Sequence, residues 1–526
     1  MTSTANLFRS LVTYAVCLTL AIWLGYLWAS SRGTLEATFT VVIPLCLLSI
    51  PMLLRWHFAW MLACWNMDAV LYFLPGRPAF WTLLIPISFT ISLLQYVLDR
   101  RQKFISVPSM TKPLIFLTVI VLVTARLTGG IGINSLGGGD NVGGRRYVWL
   151  LFGILGYFAL TAHRIPLAKA KLYITLFLIG FVTFAIGSTA GQISSSLNFI
   201  FLMFPPDTAG YETALASSSV SGPVGIIRYG GFSTGALGLI YILLARNGVD
   251  GIFRTKKLWR PLACLTLVVL SLYGGYRSMA ITLILIMALL LYFEGAMRTR
   301  LLPALCLAGI LGFALLIPFA QSLPLPIQRA LTFLPVKFSS DAEDDAKGTT
   351  EWRTKMWAEV LPEIPDHLIL GKGYSINPIE MEQIKMTIDF THEDSAALGA
   401  KLAGDYHNGP LSVIVPFGVF GAAAFLWFLY AGCRTLYRNY RYGDSELTRI
   451  NRFLLAFFLM KIAMFFGIFG SLYSDFVGFA GIVGMSVALN GGLRSPVSVT
   501  AAKSAPEGYR FSGSSRPFRG AVGSRS

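Results

Sequence analysis

Three basic residues stand where they could carry out chemistry on phosphate. Arg228 precedes two glycines in the segment IIRYGGF, Arg277 follows two glycines in YGGYRS, and His407 begins the segment HNGPL. A guanidinium stays charged at any relevant pH and binds phosphate oxygens through two parallel hydrogen bonds. An imidazole near neutral pH can accept a proton from an attacking hydroxyl. These residue types together suit chemistry on a phosphate group.

Each of the three residues also has an interpretation without chemistry. An arginine near the end of a membrane span can extend its charge to the interface while its stem stays in the apolar region, which would explain Arg228 or Arg277. A single histidine such as His407 is more often structural than catalytic. A shared site therefore requires that the elements carrying these residues bring them to the same surface.

The composition places the chain in a lipid bilayer. Of its 526 residues, 55% are hydrophobic and 13% are charged, which is more apolar side chain than a soluble core of this size needs. The apolar residues also form blocks of roughly 17 to 25, long enough to cross about 30 Å of hydrocarbon as helices. The sequence predicts an all-α polytopic membrane protein with about 12 to 14 transmembrane helices.

The apolar blocks divide the chain into four regions. Residues 1–320 hold predicted spans 1 to 11, 321–409 form a cap loop, 410–493 hold spans 12 to 14, and 494–526 form a disordered cytoplasmic tail. The spans are placed near 11 to 30, 38 to 54, 57 to 74, 79 to 99, 113 to 129, 147 to 162, 172 to 188, 223 to 245, 261 to 275, 278 to 295, 301 to 320, 410 to 432, 453 to 471 and 473 to 491.

The basic residues favour one orientation of these spans. Alternating the spans brings the short Lys- and Arg-rich loops to one face, which the positive-inside rule assigns to the cytoplasm. The net charge of +17 is thus an orientation signal, and nucleic acid is not expected as a partner. The opposite face receives two long polar loops, 187–222 and 321–407, together with Arg228, Arg277 and His407.

The second of these loops is expected to form a small helical cap. It contains fourteen of the 26 acidic residues. Within it, Trp352, Met356 and Val360 recur at helical spacing after Thr350 and stop at Pro362, which predicts an amphipathic helix. The apolar face of this helix could pack on the cap or lie on the lipid surface.

The end of the cap resembles a motif of the O-antigen ligase and polymerase family. The segment HNGPL at 407–411 is similar to the family's His-Asn-x-x-Leu motif, and PFGVFG at 416–421 is similar to the glycine-spaced span that follows it. The resemblance covers roughly residues 220 to 435.

Further matches lie upstream of this motif. WRTKMW at 352–357 followed by HLILGKG at 367–373 is similar to the family's helix with Arg and Trp before a His-Pro-x-x-Gly-x-Gly turn, with Leu368 in place of the proline. Arg228 and Arg277 match the two arginines that the family carries at the outer ends of spans.

The resemblance implies an inverting, metal-independent glycosyltransferase of GT-C-like architecture that needs no cofactor. His407 would be the base or would orient the acceptor, while Arg228 and Arg277 would hold the diphosphate of an undecaprenyl-linked glycan. Arg353 would order the cap or bind the donor, and Asn408 would contact substrate beside the base.

The resemblance also implies the partners and the location. The acceptor would be another glycan or lipid A core, and the active site would face the periplasm from the bacterial inner membrane, among membrane lipids. A chain-length regulator could be a further partner. Ligase and polymerase remain open alternatives.

Other basic residues are secondary candidates for substrate binding, and each could instead belong to a solvated loop. These candidates are Arg126, Arg145 and Arg146. They surround the glycine-rich stretch 129–144 on the predicted outer side, where the positive-inside rule expects few basic residues. There they could contact phosphate or an acidic sugar. Asp68 and Lys461 fall within spans, where ionisable groups usually face a polar cavity or one another.

The alternative function is a secondary transporter or polysaccharide flippase, with Asp68 and Lys461 lining a pathway. It is disfavoured because the sequence has no clear internal repeat and no broken helices at matching positions in two halves. It would also leave the cap and His407 unexplained. The absence of a Walker loop and of an Asp-x-Asp motif disfavours nucleotide-driven chemistry and agrees with a donor that is already activated.

Overall fold

The computed structural model describes five main ranges of the chain: 51–99, 104–129, 144–205, 226–375 and 404–496. Within these ranges, residues 73, 75, 76, 227 and 255 are not described. A few isolated positions before residue 27 are also described. Most of the predicted first and second spans and the tail beyond 496 lie outside the described residues. So do 130–143, 206–225 and 376–403, which belong to the predicted outer loops. Within the described ranges the chain is helical, with a single bridge between Val70 and Ala79.

Fifteen helices organise these ranges. They are α1 at 51–64, α2 Phe80–Leu98, α3 Pro108–Thr128, α4 Gly144–Thr161, α5 Ala170–Ile179, α6 Phe184–Ile193, α7 Gly230–Phe253, α8 Trp259–Leu272, α9 Arg277–Phe293, α10 Leu301–Phe319, α11 Leu325–Leu331, α12 Ser340–Val360, α13 Gly409–Tyr442, α14 Thr448–Gly467 and α15 Leu472–Asn490. Eight segments of the described chain are long and apolar enough to cross a membrane, with α5 and α6 joined as one, and α8 and α9 are apolar but shorter. The predicted all-α polytopic membrane fold is confirmed.

One predicted boundary between spans is wrong. Residues 51–64 run as one helix through the position near 54 to 57 where the sequence analysis separates two spans. No proline or glycine interrupts the helix there, and the His57 ring is hydrogen-bonded to Ser88 Oγ of α2 at 2.8 Å. The polar ring is thus satisfied inside the bundle, and the helix ends only after residue 64.

The helices alternate in direction, so their ends form two faces of the bundle. At one face, here called the cap end, α7 begins beside the turn that joins α8 to α9, where Tyr229 N donates to Tyr273 O at 3.3 Å. At the opposite end, Arg438 of α13 donates to the Arg494 carbonyl beyond α15 at 3.0 Å. Since α13 also begins at the cap end, three helices carry Arg228, Arg277 and His407 to one face.

Close packing between α4 and α15 makes a rigid platform for the cap end. Gly153 of α4 lies so near Phe476 that an added Cβ would stand 2.9 Å from its ring, and a Cβ at Gly484 would stand 2.7 Å from Leu160. Small residues at such contacts let helix backbones approach in membranes. The first turns of α4 and α15 are therefore held in a defined position.

A break in α13 anchors the cap to the bundle. Pro416 lacks an amide hydrogen, and Gly418 has a φ of 60° inside the helix. The turn at 368–373 enters this break, where Lys372 N donates to Val415 O at 2.7 Å and Val419 N donates to the Leu368 carbonyl at 2.7 Å. Irregular backbone within a membrane bundle must find such partners. The glycine-rich turn and the broken helix therefore satisfy one another.

Candidate functional site

The cap helix α12 packs on the start of α13. It begins earlier than predicted, at Ser340, with Asp341 and Glu343 in its first turn, where carboxylates are favoured by the helix dipole. The apolar face of α12 is buried against other parts of the protein. Of the two predicted alternatives, packing on the protein and contact with lipid, the structure therefore has the first. Met356 and Val360 form a small core with Tyr406, Leu411 and Val415.

Asp345 of α12 joins two arginines. Arg228 Nη2 donates to the two carboxylate oxygens at 3.0 and 2.8 Å. Arg329 of α11 donates to the same carboxylate through Nε, and through Nη2 to Thr349 Oγ1 at 2.8 Å. Arg329 also donates to the Gly275 carbonyl and is only 2% exposed. In this structure Arg228 therefore contacts the cap.

Arg277 makes a second contact with α12. Its Nη2 donates to Ala346 O at 3.1 Å and to Thr350 Oγ1 at 2.9 Å. Within the described ranges its Nε and Nη1 form no hydrogen bond, and the side chain lines a cavity of about 580 Å³ beside α12. Part of the guanidinium is thus available to a ligand.

His407 is enclosed by aromatic rings. Its ring centroid lies 5.2 Å from Trp352 and 5.0 Å from Phe469, between the cap and the α14 to α15 connection. The backbone holds a φ of 48°, a region that residues other than glycine rarely adopt. Nδ1 is buried and has no hydrogen-bond partner among the described residues.

This environment keeps the imidazole neutral at pH 7. Burial lowers the pKa of His407, the nearby charge of Arg353 lowers it further, and Asp405 opposes both by raising it. A neutral imidazole can accept a proton. The geometry and the charge state therefore both suit a general base.

Arg353 adds positive charge beside this ring. Its guanidinium lies 5.8 Å from the Phe469 ring, and its buried Nε has no partner in the described part of the chain. Burial lowers the pKa of Arg353, the charges of Arg277 and Arg228 lower it further, and the Asp405 carboxylate raises it. An arrangement of this kind favours an anionic ligand.

Asn408 has a structural role that accounts for the spacing of its motif. Its Oδ1 accepts a hydrogen bond from Leu411 N at 3.1 Å and so caps the start of α13. This helix-capping hydrogen bond fixes the backbone immediately after His407. Its Nδ2 forms no hydrogen bond with the described residues, and substrate contact through this amide stays a prediction.

The three secondary arginines do not form one cluster. Arg146 lies 4.7 Å from the Tyr473 ring and approaches Gly404, at the end of the segment that carries His407. Arg145 lies 5.2 Å from the Trp149 ring and lines a separate cavity. Arg126 is exposed in the last turn of α3 and makes no contact with either in the described ranges.

Sequence reasoning missed Arg329 and Asp345. Arg329 lies in the short apolar run LPIQRAL, and a lone arginine in such a run is the one signal that could have pointed to it. Asp345 is one of several acidic residues in the segment DAEDDA, so nothing in the sequence distinguishes it.

Replacing Arg329 with methionine is expected to destabilise the cap. The change leaves Gly275 O, Thr349 and part of Asp345 without their donor, and breaking a buried ion pair costs about 3 kcal/mol. Arg254→Met is the matched control, since its exposed pair with Asp250 contributes about 0.5 kcal/mol or less. Thermal unfolding in detergent should show a clearly lower midpoint for Arg329→Met alone. Equal midpoints for the two variants would contradict the assignment.

One comparison with known proteins matches part of the chain. Residues 262–426 match a family model described as O-antigen ligase. The matched stretch begins in α8, ends in α13 and covers less than half of the chain, and it contains Arg277, Arg353, His407 and Asn408, whereas Arg228 precedes it. No curated protein matches the chain. Among the described residues, no group of three His, Cys, Asp or Glu side chains could hold a metal ion.

Proposed function

We propose that the chain, as a membrane glycosyltransferase of the O-antigen ligase and polymerase family, acts on a lipid-linked donor. In this proposal it transfers a glycan from an undecaprenyl-diphosphate carrier to an acceptor hydroxyl. The observation that carries this proposal is that the buried Nδ1 of His407 has no hydrogen-bond partner among the described residues, while Arg228, Arg277 and Arg353 lie at the same end of the bundle. A base and a diphosphate site are the two groups that such a transfer needs.

The proposed reaction assigns a step to each group. His407 accepts the proton of the acceptor hydroxyl while the hydroxyl oxygen forms a bond to the anomeric carbon. The bond from that carbon to the diphosphate oxygen breaks, and the lipid diphosphate leaves with the electron pair. Arg228, Arg277 and Arg353 would stabilise the negative charge that develops on the leaving group.

The contacts with α12 suggest how the diphosphate would be admitted. Arg228 binds the Asp345 carboxylate, which presents two oxygens much as a phosphate does. Arg329 also holds Asp345, so Arg228 could exchange the carboxylate for phosphate without leaving Asp345 unpaired. Arg277 could make the same exchange from Thr350.

The location follows from the charge pattern of the sequence. The positive-inside rule favours the cap end on the face opposite the cytoplasm, and the family match supports the periplasmic side of a bacterial inner membrane as that face. The acceptor would be lipid A core for a ligase or the next lipid-linked repeat unit for a polymerase. A chain-length regulator would bind outside the site.

The test uses the native host. The gene is deleted and restored as wild type or His407→Ala, and both surface glycan and lipid-linked intermediates are profiled. Accumulation of single repeat units on lipid identifies a polymerase, and long chains retained on lipid identify a ligase, with His407→Ala matching the deletion. Unchanged pools in the deletion strain, under conditions where the glycan is made, would refute transfer and favour the transporter alternative.

A further inference from the structure

An ion pair lies between α14 and α15, close to where these two helices are joined at the cap end. Lys461 Nζ of α14 donates to Asp475 Oδ1 of α15 at 2.9 Å, and both side chains are mostly buried. Ionisable groups inside a membrane bundle are costly and are usually retained for a function. The proposed transfer reaction gives neither residue a part.

The two helices do not need this pair in order to pack. Phe458 and Phe465 of α14 contact Phe479 of α15, with ring centroids 5.3 and 6.0 Å apart, and all three rings are buried. Replacing a buried ion pair by apolar residues often leaves stability unchanged or raises it. The pair is therefore better explained by a need for one particular geometry at the cap end.

Asp475 also holds the short connection between the helices, residues 468–471. Its Oδ2 accepts a hydrogen bond from Ser471 N at 3.1 Å, while Asp475 N donates to Ser471 O at 2.9 Å. Since Lys461 binds the other carboxylate oxygen, the carboxylate has one partner on α14 and one in the connection. Loss of Lys461 would leave the carboxylate free to turn away from Ser471 N.

Two contacts place the same connection against the start of α13. Leu472 N donates to Ser412 Oγ at 3.0 Å. Gly470 lies so close to Gly409 that a Cβ added to Gly470 would stand 2.9 Å from the Gly409 Cα. Because Gly409 is the second residue after His407, the connection and the segment that carries His407 are held side by side.

Phe469, in the middle of this connection, contacts two of the proposed site residues. Its ring centroid lies 5.0 Å from that of His407, and the Arg353 guanidinium lies 5.8 Å from the ring. The Phe469 side chain is still 36% exposed, and it lines a cavity of about 260 Å³ together with Lys461 and Asp475. Since burial alone does not hold the ring, its position depends on the backbone of the connection.

We propose that Lys461 and Asp475 are positioning residues for the transfer reaction: their ion pair fixes residues 468–471, so that the Phe469 ring keeps His407 and Arg353 in place. This proposal rests on the proposed function for the reaction that the pair supports. Neither Lys461 nor Asp475 contacts the reacting atoms. Their effect is to shield the imidazole from water and to hold its orientation.

The first test measures access to His407 and does not depend on transfer. The purified full chain is treated at neutral pH with diethyl pyrocarbonate, which modifies neutral imidazoles, and mass spectrometry of its peptides gives the rate at each histidine. Lys461→Met, which keeps an unbranched stem without the charge, and Phe469→Ala should both be modified faster at His407 than wild type. The rate at His367, in the cap, is the internal reference and should not change.

The second test is transfer by equal amounts of folded protein. Lys461→Met should lower transfer by about 10 to 100 fold, the scale on which a small displacement of a catalytic group acts. The acid limb of its pH profile should move to higher pH, toward the ordinary histidine pKa of about 6.5, because water reaches the His407 ring. The charges that act on His407, Arg353 of α12 and Asp405 of its own segment, stay in this variant. Adding Phe469→Ala to Lys461→Met should cause little further loss, since both act through the same ring.

Three further variants complete the design. Lys461→Arg keeps the charge and should retain most of the transfer. Arg254→Met removes an exposed ion pair at the opposite end of the bundle and should behave as wild type in both tests. The neutral pair Lys461→Met with Asp475→Asn leaves no unpaired charge, so it is expected to fold even where Lys461→Met does not, and it should show the same changes as Lys461→Met.

The positioning role is refuted if His407 is modified at the wild-type rate in Lys461→Met and in the neutral pair. It is also refuted if these variants only raise the KM for the donor glycan and leave the acid limb in place, because the pair would then bind substrate. Transfer by His407→Ala is measured in parallel. Normal transfer by that variant rejects the catalytic assignment, whereas its loss, together with an unchanged modification rate in Lys461→Met, rejects only the positioning role.

Discussion

His407→Ala is expected to lower the rate of glycan transfer by about 10² to 10⁴ fold, the contribution of a positioned general base. The ring is neutral, enclosed by Trp352 and Phe469, and forms no hydrogen bond with the described residues. Removing it leaves no group in its place to accept the proton. The measurement is transfer by membranes that contain equal amounts of wild type or variant, supplied with the host's lipid-linked glycan.

His407→Gln is the matched variant. Glutamine keeps a polar side chain of similar size between the two aromatic rings but cannot act as a base at neutral pH. It should be as inactive as alanine. Activity of His407→Gln within a few fold of wild type would show that the residue supports the cap and does not take the proton.

The pH dependence gives an independent check on the same residue. Burial lowers the pKa of His407 below the usual value of about 6.5, and only the neutral imidazole is a base. Activity should therefore be full at neutral pH and fall as the pH drops through that lowered pKa. Asp405→Asn removes the charge that raises the pKa, so its acid limb should move to lower pH. A shift to higher pH would refute the assignment.

Arg277→Lys is expected to lower transfer by about 10² to 10³ fold, the cost of losing one preorganised group that stabilises transition-state charge. Nη2 of Arg277 already binds Ala346 O and Thr350 Oγ1, while Nη1 and Nε are left for a ligand. A lysine ammonium is a single point of charge and cannot bind the cap and a phosphate oxygen pair with separate donors. The same membrane assay measures the loss.

Thr350→Val separates the two roles of Arg277. It removes one of the two hydrogen-bond partners that the guanidinium has on α12 but leaves the arginine, and a hydrogen bond to a charged group contributes about 1.5 kcal/mol. Transfer by Thr350→Val should stay within about tenfold of wild type. A loss as large as that of Arg277→Lys would mean that Arg277 acts only by holding the cap.

Local patterns in the chain were enough to predict the membrane class and most of the spans. A block of apolar residues enters the bilayer because of its own transfer free energy, so its existence does not depend on distant residues. Because consecutive spans cross the membrane in opposite directions, their order in the chain then placed Arg228, Arg277 and His407 at one end. The interval of three residues from Asn408 to Leu411 is likewise a local capping geometry that the motif already contains.

The first half of α12 was not predicted, although its second half was. Its buried residues there are Ala342 and Ala346, whose small side chains carry little hydrophobic signal among many charges. Met356 and Val360, by contrast, mark the apolar face clearly. The packing of the helix on α13 depends on Tyr406, which lies far along the chain.

The amino-acid sequence by itself determined that this protein is a helical membrane protein with basic residues and a histidine at the ends of particular spans. Only the tertiary structure decided which of these groups are already paired. Arg228 and Asp345 are 117 positions apart, and the turn at 368–373 meets a break in α13 beyond residues 376–403. Pairing at such separations depends on how whole helices pack, because no local preference selects one carboxylate or one carbonyl among many.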